Sequence, residues 1–300
     1  MKTTIAYKYN KIVSTAMNSK PVIVGIGELL WDMLPSGKKA GGAPVNFVYH
    51  ASLLGAESYA ISAIGKDPLG NEILEELDKI GLNYLIERVD YPTGTVLVQL
   101  KDGIPNYTII EEVAWDYIPA TEDMKQLARR TDAICFGTLA QRSEVSRSTI
   151  HEILSLVPQD AYRILDINIR QHFYSKELIE ESLQLANVFK MNDDELSLLR
   201  NFFSLEGYDE DDACRWFIEH FDLKVVILTA GADYSKVFTP DDYSCVKTTK
   251  VQVVDTVGAG DSFTGAFISS LIAGKSLQES HKFAVDKAAY VCTKAGAWTV

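Results

Sequence analysis

Short apolar runs alternate with amphipathic stretches over most of the chain. The runs that predict β-strands are Val22–Ile26, Tyr59–Ile64, Ala133–Phe136, Tyr162–Ile167, Val188–Met191 and Val225–Leu228. The stretches between them carry apolar residues every three or four positions, which is the helical period. The clearest of these are Leu69–Ile80, Ser146–Leu156, Lys176–Leu185 and Asp211–His220. Strands separated by helices predict βαβ units and a mainly parallel sheet covered on both faces.

Two regions depart from this alternation. Leu29–Leu34 is a short extended segment, and Thr93–Ile110 is typical of a β-hairpin with its turn at Lys101-Asp-Gly103. Asp-Gly is a strong hairpin-turn signal. Because no helix pattern flanks these strands, we expect a small separate sheet that acts as a lid. The predicted domain spans residues 21–300, with lid strands at about 29–35 and 93–111.

The first twenty residues carry four lysines but no continuous apolar core, so they do not resemble a signal peptide. We expect residues 1–20 to form a tail outside the ordered domain. Met17 lies just before the first clear strand, so a translation start at Met17 is the alternative.

Composition excludes several classes of function. The net charge of −12 argues against a nucleic-acid surface, which needs Lys and Arg to neutralise phosphates. No apolar run approaches the length that spans a bilayer. The four cysteines are far apart and form no Cys-x-x-Cys pair. Free thiols in a reducing cytoplasm are therefore favoured over zinc ligation or disulfides.

The segment from Asp255 to Phe267 carries the strongest chemical signal. An apolar run, Val251–Val254, predicts a strand before it, and a helical pattern follows, so Gly258-Ala259-Gly260 is expected at a strand-to-helix turn. Unpaired N–H groups and the positive end of the helix dipole suit a phosphate or a developing anion there. Asp261 is then a candidate general base. The alternative is an ordinary acid in the first turn of a helix.

A second glycine pair begins another predicted helix. Pro44 follows Gly41-Gly42-Ala43 as a first-turn proline, and Gly55 is placed to end the helix. Asn46 lies one turn from the glycines and can face a ligand that approaches their backbone.

These two segments together resemble the signatures of the ribokinase-like (PfkB) carbohydrate kinases. Asp255-Thr-Val-Gly-Ala-Gly-Asp261 resembles the second signature of that family. The first signature is matched by Gly41-Gly-Ala-Pro-Val-Asn46, Leu54-Gly55 and Ile64-Gly-Lys-Asp67-x-x-Gly70. The resemblance extends from about Val22 to Ala297.

The resemblance implies a three-layer α/β fold with a mainly parallel central sheet and a β-sheet lid. It implies that Asp261 deprotonates a sugar hydroxyl and that Gly258, Ala259 and Gly260 form the anion hole. The residues that it implies for sugar binding are Asp32, Gly41, Gly42, Asn46 and Arg170. Arg170 belongs to Asp166-Ile-Asn168-Ile-Arg170, where the family has Asp-Pro-Asn-x-Arg, and is implied near both sugar and phosphate.

The resemblance also implies a site for ATP and magnesium. The residues implied for the nucleotide are Lys190, Asn192, Glu195, Thr229 and Gly231, together with Gly258 and Gly260. Asn192 and Glu195 match the motif that positions hydrated Mg²⁺, an ion that usually keeps several waters. Asp255 is implied as a ligand of K⁺, a feature of some members only. Asp233 stands where the family usually has a second glycine after Gly231.

Each residue also has a purely structural interpretation. Asp32 alone is compatible with a turn acid, and Arg170 with a surface ion pair of little energetic value. Asn192 and Glu195 have the spacing of a capping box at a helix start. Their occurrence together, in the order of the family, favours the functional interpretation.

The substrate is less strongly indicated than the reaction. Gly27-Glu-Leu-Leu-Trp-Asp32, Ala40–Asn46 and Pro92-Thr93 resemble fructokinases, which favours fructose. Arg142 would suit an acidic or phosphorylated sugar, so ribokinase, 2-keto-3-deoxygluconate kinase and sugar-phosphate kinase activities stay open. A non-catalytic regulatory member is the alternative of another class, and a dehydrogenase lacks its fingerprint. The family also implies homodimerisation through the lid sheet.

Overall fold

The part of the chain that the structure describes contains thirteen strands and nine α-helices. This computed structural model describes residues 19–35, 37–101 and 104–299, without the side chains of 98–101 and 104–106. The strands are β1 (Val22–Ile26), β2 (Leu30–Leu34), β3 (Gly37–Gly41), β4 (Glu57–Gly65), β5 (Asn83–Val89), β6 (Gly94–Lys101), β7 (Ile104–Ile109), β8 (Ala133–Phe136), β9 (Tyr162–Asp166), β10 (Val188–Asn192), β11 (Val225–Ala230), β12 (Tyr234–Phe238) and β13 (Tyr243–Lys247). The helices are α1 (Ala43–Ser52), α2 (Pro68–Lys79), α3 (Glu122–Ala128), α4 (Glu144–Leu156), α5 (Lys176–Leu185), α6 (Asp193–Phe203), α7 (Glu210–Phe221), α8 (Ala259–Ile272) and α9 (Leu277–Cys292).

The central sheet has the order β13-β12-β11-β10-β9-β8-β1-β4-β5. Its pairs from β11 to β5 are parallel, whereas β12 and β13 form an antiparallel edge. The six predicted strands all lie in the parallel part, and the predicted α/β class is confirmed. The sequence reading overlooked β5 and the antiparallel edge.

Helices cover both faces of this sheet and enclose two apolar cores. One core contains residues of α3 to α7, such as Ile153 and Phe217, and the other contains residues of α1, α2, α8 and α9, such as Phe47 and Phe267. Strand β1 serves both, because Val24 and Ile26 point to the first core and Ile23 to the second. This alternation follows from the period of two in a strand. It explains why buried parallel strands form continuous apolar runs in the sequence.

The lid is a separate four-stranded sheet in the order β3-β2-β6-β7. The predicted hairpin is present as the antiparallel pair β6–β7, and the extended segment at Leu29–Leu34 is β2. Residues 102 and 103 of the predicted turn lie outside the described residues. Strand β3 was not predicted, because its sequence, Gly-Lys-Lys-Ala-Gly, lacks the apolar and β-branched residues typical of strands.

Asp67 fastens the lid to the main domain. Its Oδ1 accepts hydrogen bonds from the N–H of Gly70 at 2.8 Å and the hydroxyl of Thr93 at 2.7 Å. Its Oδ2 accepts from the N–H of Thr93 at 2.8 Å. One carboxylate thus caps α2 and fixes the residue before β6, which ties a lid strand to the main domain.

The prediction of a strand at Val251–Val254 is wrong. The backbone there has no regular structure, and Val253 and Val254 are 59% and 62% exposed. The N–H groups of Val254 and Asp255 both donate to the carbonyl of Cys292 rather than to a strand. An apolar run forms a strand only where a neighbouring strand offers its free edge, and here the segment lies on α9 instead.

Residues 1–18 of the predicted tail lie outside the described residues. Among the helices in the described ranges, none combines the length and apolar character needed to cross a membrane.

Candidate active site

The candidate residues collect at the carboxyl ends of the parallel strands. Asn192 ends β10, and its partner in register is Thr229, the last residue but one of β11. Asp166 ends β9, and Glu28 follows β1. In open parallel sheets ligands bind at this edge, because the loops that leave the strands surround a crevice there.

The turn at Gly258 forms an open anion cradle. Gly258 has φ +77°, and a Cβ on it would lie 2.7 Å from the Cβ of Ala297, so only glycine fits. No side chain of the described residues caps the start of α8. Ala259 donates to the carbonyl of Thr256, and Ser262 to that of Gly258. Within the described residues this leaves the N–H groups of Gly260 and Asp261 free to bind an anion.

Asp261, Asn46 and Trp298 form a chain of hydrogen bonds beside the cradle. The Nδ2 of Asn46 donates to Oδ2 of Asp261 at 2.8 Å. Nε1 of Trp298 donates to Oδ1 of Asn46 at 2.8 Å. The indole therefore fixes which way the Asn46 amide points, and the amide holds the Asp261 carboxylate in one position.

The surroundings of Asp261 make it a stronger base than an ordinary aspartate. Burial and the negative charge of Asp166 raise its pKa from 3.8 to about 6, although Asn46, Lys190 and Arg170 act in the opposite direction. A carboxylate with a pKa near 6 stays ionised at neutral pH and accepts a proton more readily than one near 4.

A buried ion pair lies beneath the cradle. Nζ of Lys190 donates to both carboxylate oxygens of Asp166, at 3.0 and 2.8 Å. A Cβ added to Gly260 would lie 3.3 Å from that ammonium group. Burial alone would lower the pKa of Lys190, but Asp166 and Glu195 outweigh it and raise that pKa. Lys190 therefore stays charged directly below the turn at Gly258, where a positive charge favours an anion.

Asn192 and Glu195 do form the capping box that their spacing allowed. Oδ1 of Asn192 accepts from the N–H of Glu195, and Oε2 of Glu195 accepts from the N–H of Asn192, both at 2.8 Å. Oε1 of Glu195 also accepts from the N–H of Ile169 at 2.8 Å, which ties α6 to the loop of Arg170. Burial, above all, raises the pKa of Glu195. The pair thus has a structural role whatever else it does.

Gly231 follows directly after β11, two residues beyond Thr229. Its φ is +47°, and its carbonyl accepts from the hydroxyl of Thr248 at 3.0 Å. The N–H of Asp233 donates to the carbonyl of Ala230, so a tight turn forms although the second glycine of the family is missing.

Asp32 and Gly41 lie on strands of the lid, and Gly42 follows directly after β3. Asp32 on β2 pairs with Lys39 on β3, and a Cβ added to Gly41 would lie 3.4 Å from Oδ2 of Asp32. Gly42 has φ +134°, and a Cβ there would lie 2.1 Å from the carbonyl oxygen of Glu28. Burial raises the pKa of Asp32, while Lys39 and Arg170 oppose the shift. Arg170 is exposed and acts electrostatically on Asp32, Glu28 and Asp261.

Asp255 is already held by nitrogen donors. Its Oδ1 accepts from the N–H of Val257 at 3.1 Å, and its Oδ2 from the N–H of Gly296 at 2.9 Å and from Nζ of Lys39 at 3.4 Å. Burial opposes these bonds, but together with the charge of Lys39 they lower the pKa of Asp255. Lys39 thereby connects the lid to the segment before the anion cradle.

Arg142 forms a buried ion pair and also lines a cavity of about 500 Å³. Its Nε and Nη2 donate to the two carboxylate oxygens of Asp116, both at 2.8 Å, and Nη2 also donates to the carbonyl of Ile110. The Arg142 side chain is 7% exposed, and it stacks on Trp115 and Phe173. Asp116 neutralises the charge of Arg142, while its Nη1 is buried without a partner among the described residues, so an acidic or phosphorylated sugar stays an open alternative.

Four residues of the site were not singled out from the sequence: Glu28, Lys39, Asp166 and Trp298. Glu28 and Asp166 stand inside quoted motifs, so their position at strand ends was a usable signal. No signal in the sequence indicates Trp298 or Lys39, because their contacts join segments more than 200 residues apart.

Comparison with known proteins identifies the family of this chain. The model of the pfkB family of carbohydrate kinases matches residues 36–299. The probable fructokinase-5 of Arabidopsis thaliana is 30% identical over 278 residues, which cover 85% of this chain and 84% of that protein. An ATP-dependent 6-phosphofructokinase of Thermoanaerobacterium thermosaccharolyticum is 26% identical and covers 92% and 89%.

A solved structure of similar shape is the uncharacterised sugar kinase of Pyrococcus horikoshii in complex with ATP. It superposes with a TM-score of 0.78 at 27% identity, over 92% of this chain and 94% of that chain. Since the family model spans most of the sequence and the site lies where its two signatures meet, the chain belongs to the pfkB family of carbohydrate kinases.

Proposed function

We propose that this enzyme transfers the γ-phosphoryl group of MgATP to a hydroxyl group of a sugar, most favourably fructose. The observation that carries the proposal is the position of Asp261. Its carboxylate is held by Asn46 at 2.8 Å and adjoins the free N–H groups at the start of α8. A base for the hydroxyl and an anion site for the phosphoryl group are thereby joined in one turn.

The roles follow from the order of the strands. Thr229, Gly231 and Asn192 lie on the β10–β11 side, which we assign to ATP. Asp32 and Gly41 lie on the lid strands, and Gly42 and Asn46 lie at the start of α1 beside β1; we assign this side to the sugar. Asp261 accepts the hydroxyl proton between them, and the N–H groups of the cradle with Lys190 and Arg170 stabilise the negative charge of the moving phosphoryl group. Such transfer depends mainly on positioning and electrostatics.

The residues present fit hydrated magnesium. The three carboxylates of Asp166, Glu195 and Asp261 exceed the positive charge that Lys190 brings to this buried cluster. In the described residues no group of three or more His, Cys, Asp or Glu could cage a metal directly. Asn192 and Glu195 would therefore hold Mg²⁺ through water, as this ion prefers. When bound it neutralises charge on the phosphates.

The choice of fructose has two supports. The relative that is 30% identical bears the name fructokinase. In addition, Arg142, the cation that would have favoured a phosphorylated sugar, is paired with Asp116. The relative named 6-phosphofructokinase keeps a sugar-phosphate acceptor as the alternative, beside ribose and 2-keto-3-deoxygluconate.

A coupled assay of ADP release tests this proposal. Fructose, ribose, 2-keto-3-deoxygluconate, fructose phosphates and nucleosides would be compared at saturating MgATP. We expect turnover with a sugar, highest with fructose. Absence of turnover on every acceptor would overturn the kinase activity and favour a non-catalytic regulatory role.

The pH dependence provides a prediction about the base. Because the pKa of Asp261 is raised to about 6, the carboxylate is protonated below that pH and cannot accept the hydroxyl proton. We expect kcat/KM for the sugar to fall about tenfold per pH unit below pH 6. A rate that stays level down to pH 5 would contradict the role of Asp261.

The dependence on monovalent cations provides another prediction. Both oxygens of Asp255 already accept N–H hydrogen bonds, and Lys39 supplies a positive charge beside them. The ammonium group of Lys39 therefore competes with K⁺ for the Asp255 carboxylate. We expect equal rates in potassium and choline salts at the same ionic strength. Strong activation by K⁺ alone would show that Lys39 does not replace it.

Two further expectations belong to this proposal. Homodimerisation through the lid is supported by the exposure of Leu97 and Tyr107, which are 37% and 54% exposed. The cytoplasmic location inferred from the separated cysteines stays a prediction. Sedimentation of the purified chain would test the first of these.

A further inference from the structure

Glu28 carries a buried carboxylate oxygen that has no partner among the described residues. The residue is 3% exposed, and it lies where β1 ends. Its Oε1 accepts a hydrogen bond from the N–H of Ala43 at 3.2 Å, at the start of α1. Its Oε2 is buried, and no group in the described part of the chain donates to it. Because an unsatisfied buried polar group is costly, folded proteins rarely keep one without a ligand or a water to complete it.

A small recess adjoins this glutamate. It has about 10 Å³ of space for a water-sized group, and its lining includes Glu28, Asp166, Asn168 and Thr138. A space of that size holds one oxygen atom, and such an atom needs two or more polar partners. Asn168 has φ +42°, a strained conformation that is tolerated by few residue types and is often found at functional sites.

The recess belongs to the sugar side of the site. The Glu28 side chain accepts a hydrogen bond at the start of α1, the helix that carries Asn46. A Cβ added to Gly42 would lie 2.1 Å from the carbonyl oxygen of Glu28. Its carboxyl group also interacts electrostatically with Asp261 and Arg170. The recess thus lies within the group of residues assigned to the acceptor.

We infer that this recess is a subsite for a single hydroxyl group of the acceptor sugar, with Oε2 of Glu28 as its hydrogen-bond partner. The inference rests on the proposed sugar kinase activity and deepens it. The space has room for a water-sized group only, which excludes a phosphate or a methyl-bearing group. The acceptor sugar therefore carries a neutral, unsubstituted hydroxyl group at this position.

The protonation of Glu28 suits this role. Burial, more than any other cause, raises its pKa to about 7. Near neutral pH the carboxyl group can thus donate a hydrogen bond or accept one. The amide of glutamine keeps both abilities and the same shape, whereas alanine has neither.

The test compares the best acceptor with its monodeoxy analogues on the wild type, Glu28→Gln and Glu28→Ala. We expect one analogue to lose on the order of 10- to 100-fold in kcat/KM with the wild type, the range for a hydrogen bond to a buried polar or charged group. Glu28→Gln should retain that discrimination. In Glu28→Ala the same analogue and its parent sugar should react equally well, while KM for ATP stays unchanged.

The ratio of two substrates on one variant does not depend on how much of the variant is folded. Glu75→Ala, which removes an exposed glutamate from α2, is the matched control and should discriminate like the wild type. If Glu28→Ala keeps the discrimination of the wild type against every analogue, Glu28 only caps α1. The hydroxyl subsite is then ruled out, while the proposed kinase activity stands. If the wild type phosphorylates no sugar, the proposed function fails together with it.

Discussion

Asp261→Asn should lower kcat by about 10²- to 10⁴-fold, the range expected for loss of a general base. The amide has the shape of the carboxylate, and its oxygen can still accept from Nδ2 of Asn46. The variant should therefore bind MgATP as the wild type does, and KM for the sugar should change little. Steady-state kinetics with the best acceptor and equilibrium binding of the nucleotide would measure the two effects separately.

The same substitution should stabilise the fold at neutral pH. The pKa of Asp261 is raised from 3.8 to about 6, so the ionised form is disfavoured in the native state. Below pH 3.8 the carboxyl group is protonated in both the folded and the unfolded chain, and it has no effect on stability. Above pH 6 it destabilises the native state by up to about 3 kcal/mol, less after solvent screening of a partly buried group. Replacing the carboxylate with a neutral amide removes that cost.

Denaturant unfolding at pH 4 and pH 7 distinguishes this from an ordinary loss of packing. The stabilisation of the Asp261→Asn variant should be present at pH 7 and small at pH 4. Asn46→Ala is the matched control, since it removes the partner of Asp261 but keeps the acid, and it should lose stability at both values. An unchanged rate in Asp261→Asn would contradict its role as the base.

The parallel core was predictable because each of its strands is buried on both faces. Such strands appear as continuous apolar runs, and Ala133–Phe136 has the same bounds in the sequence reading and in the structure. Val251–Val254 has a similar local composition but no strand edge beside it among the described residues, so it stays irregular and exposed. Strand β3 is the opposite case. Its polar sequence pairs with β2 because the lid supplies a partner.

The candidate site divides in the same way. Asp261, Asn46 and the glycines stand in segments whose resemblance to family signatures identified them without a structure. The hydrogen bond of Trp298 to Asn46 spans 252 residues, and neither end shows a local pattern that indicates it. The role of Glu28 depends on one oxygen being left without a partner in the described part of the chain. Such a feature exists only in three dimensions, because it is defined by what surrounds the side chain.

Arg142→Met should destabilise the fold by about 3–5 kcal/mol, the cost of breaking a buried ion pair and leaving one charge alone. Asp116 is 3% exposed and would lose both hydrogen bonds from the guanidinium group. Once the folded fraction is accounted for, KM for the sugar should stay near that of the wild type, because Arg142 is paired within the core. Denaturant unfolding and sugar kinetics on the same preparation would check both statements.

Two companion variants sharpen this prediction. Arg147→Met is the control, because Arg147 lies five residues further along the chain in α4 and its Nε donates to the carbonyl of Gln141, so its loss should cost about 1 kcal/mol. Arg142→Met combined with Asp116→Leu should recover much of the lost stability, because no charge is then left buried alone. A raised KM with unchanged stability in Arg142→Met would instead place Arg142 against the substrate and revive the phosphorylated acceptor.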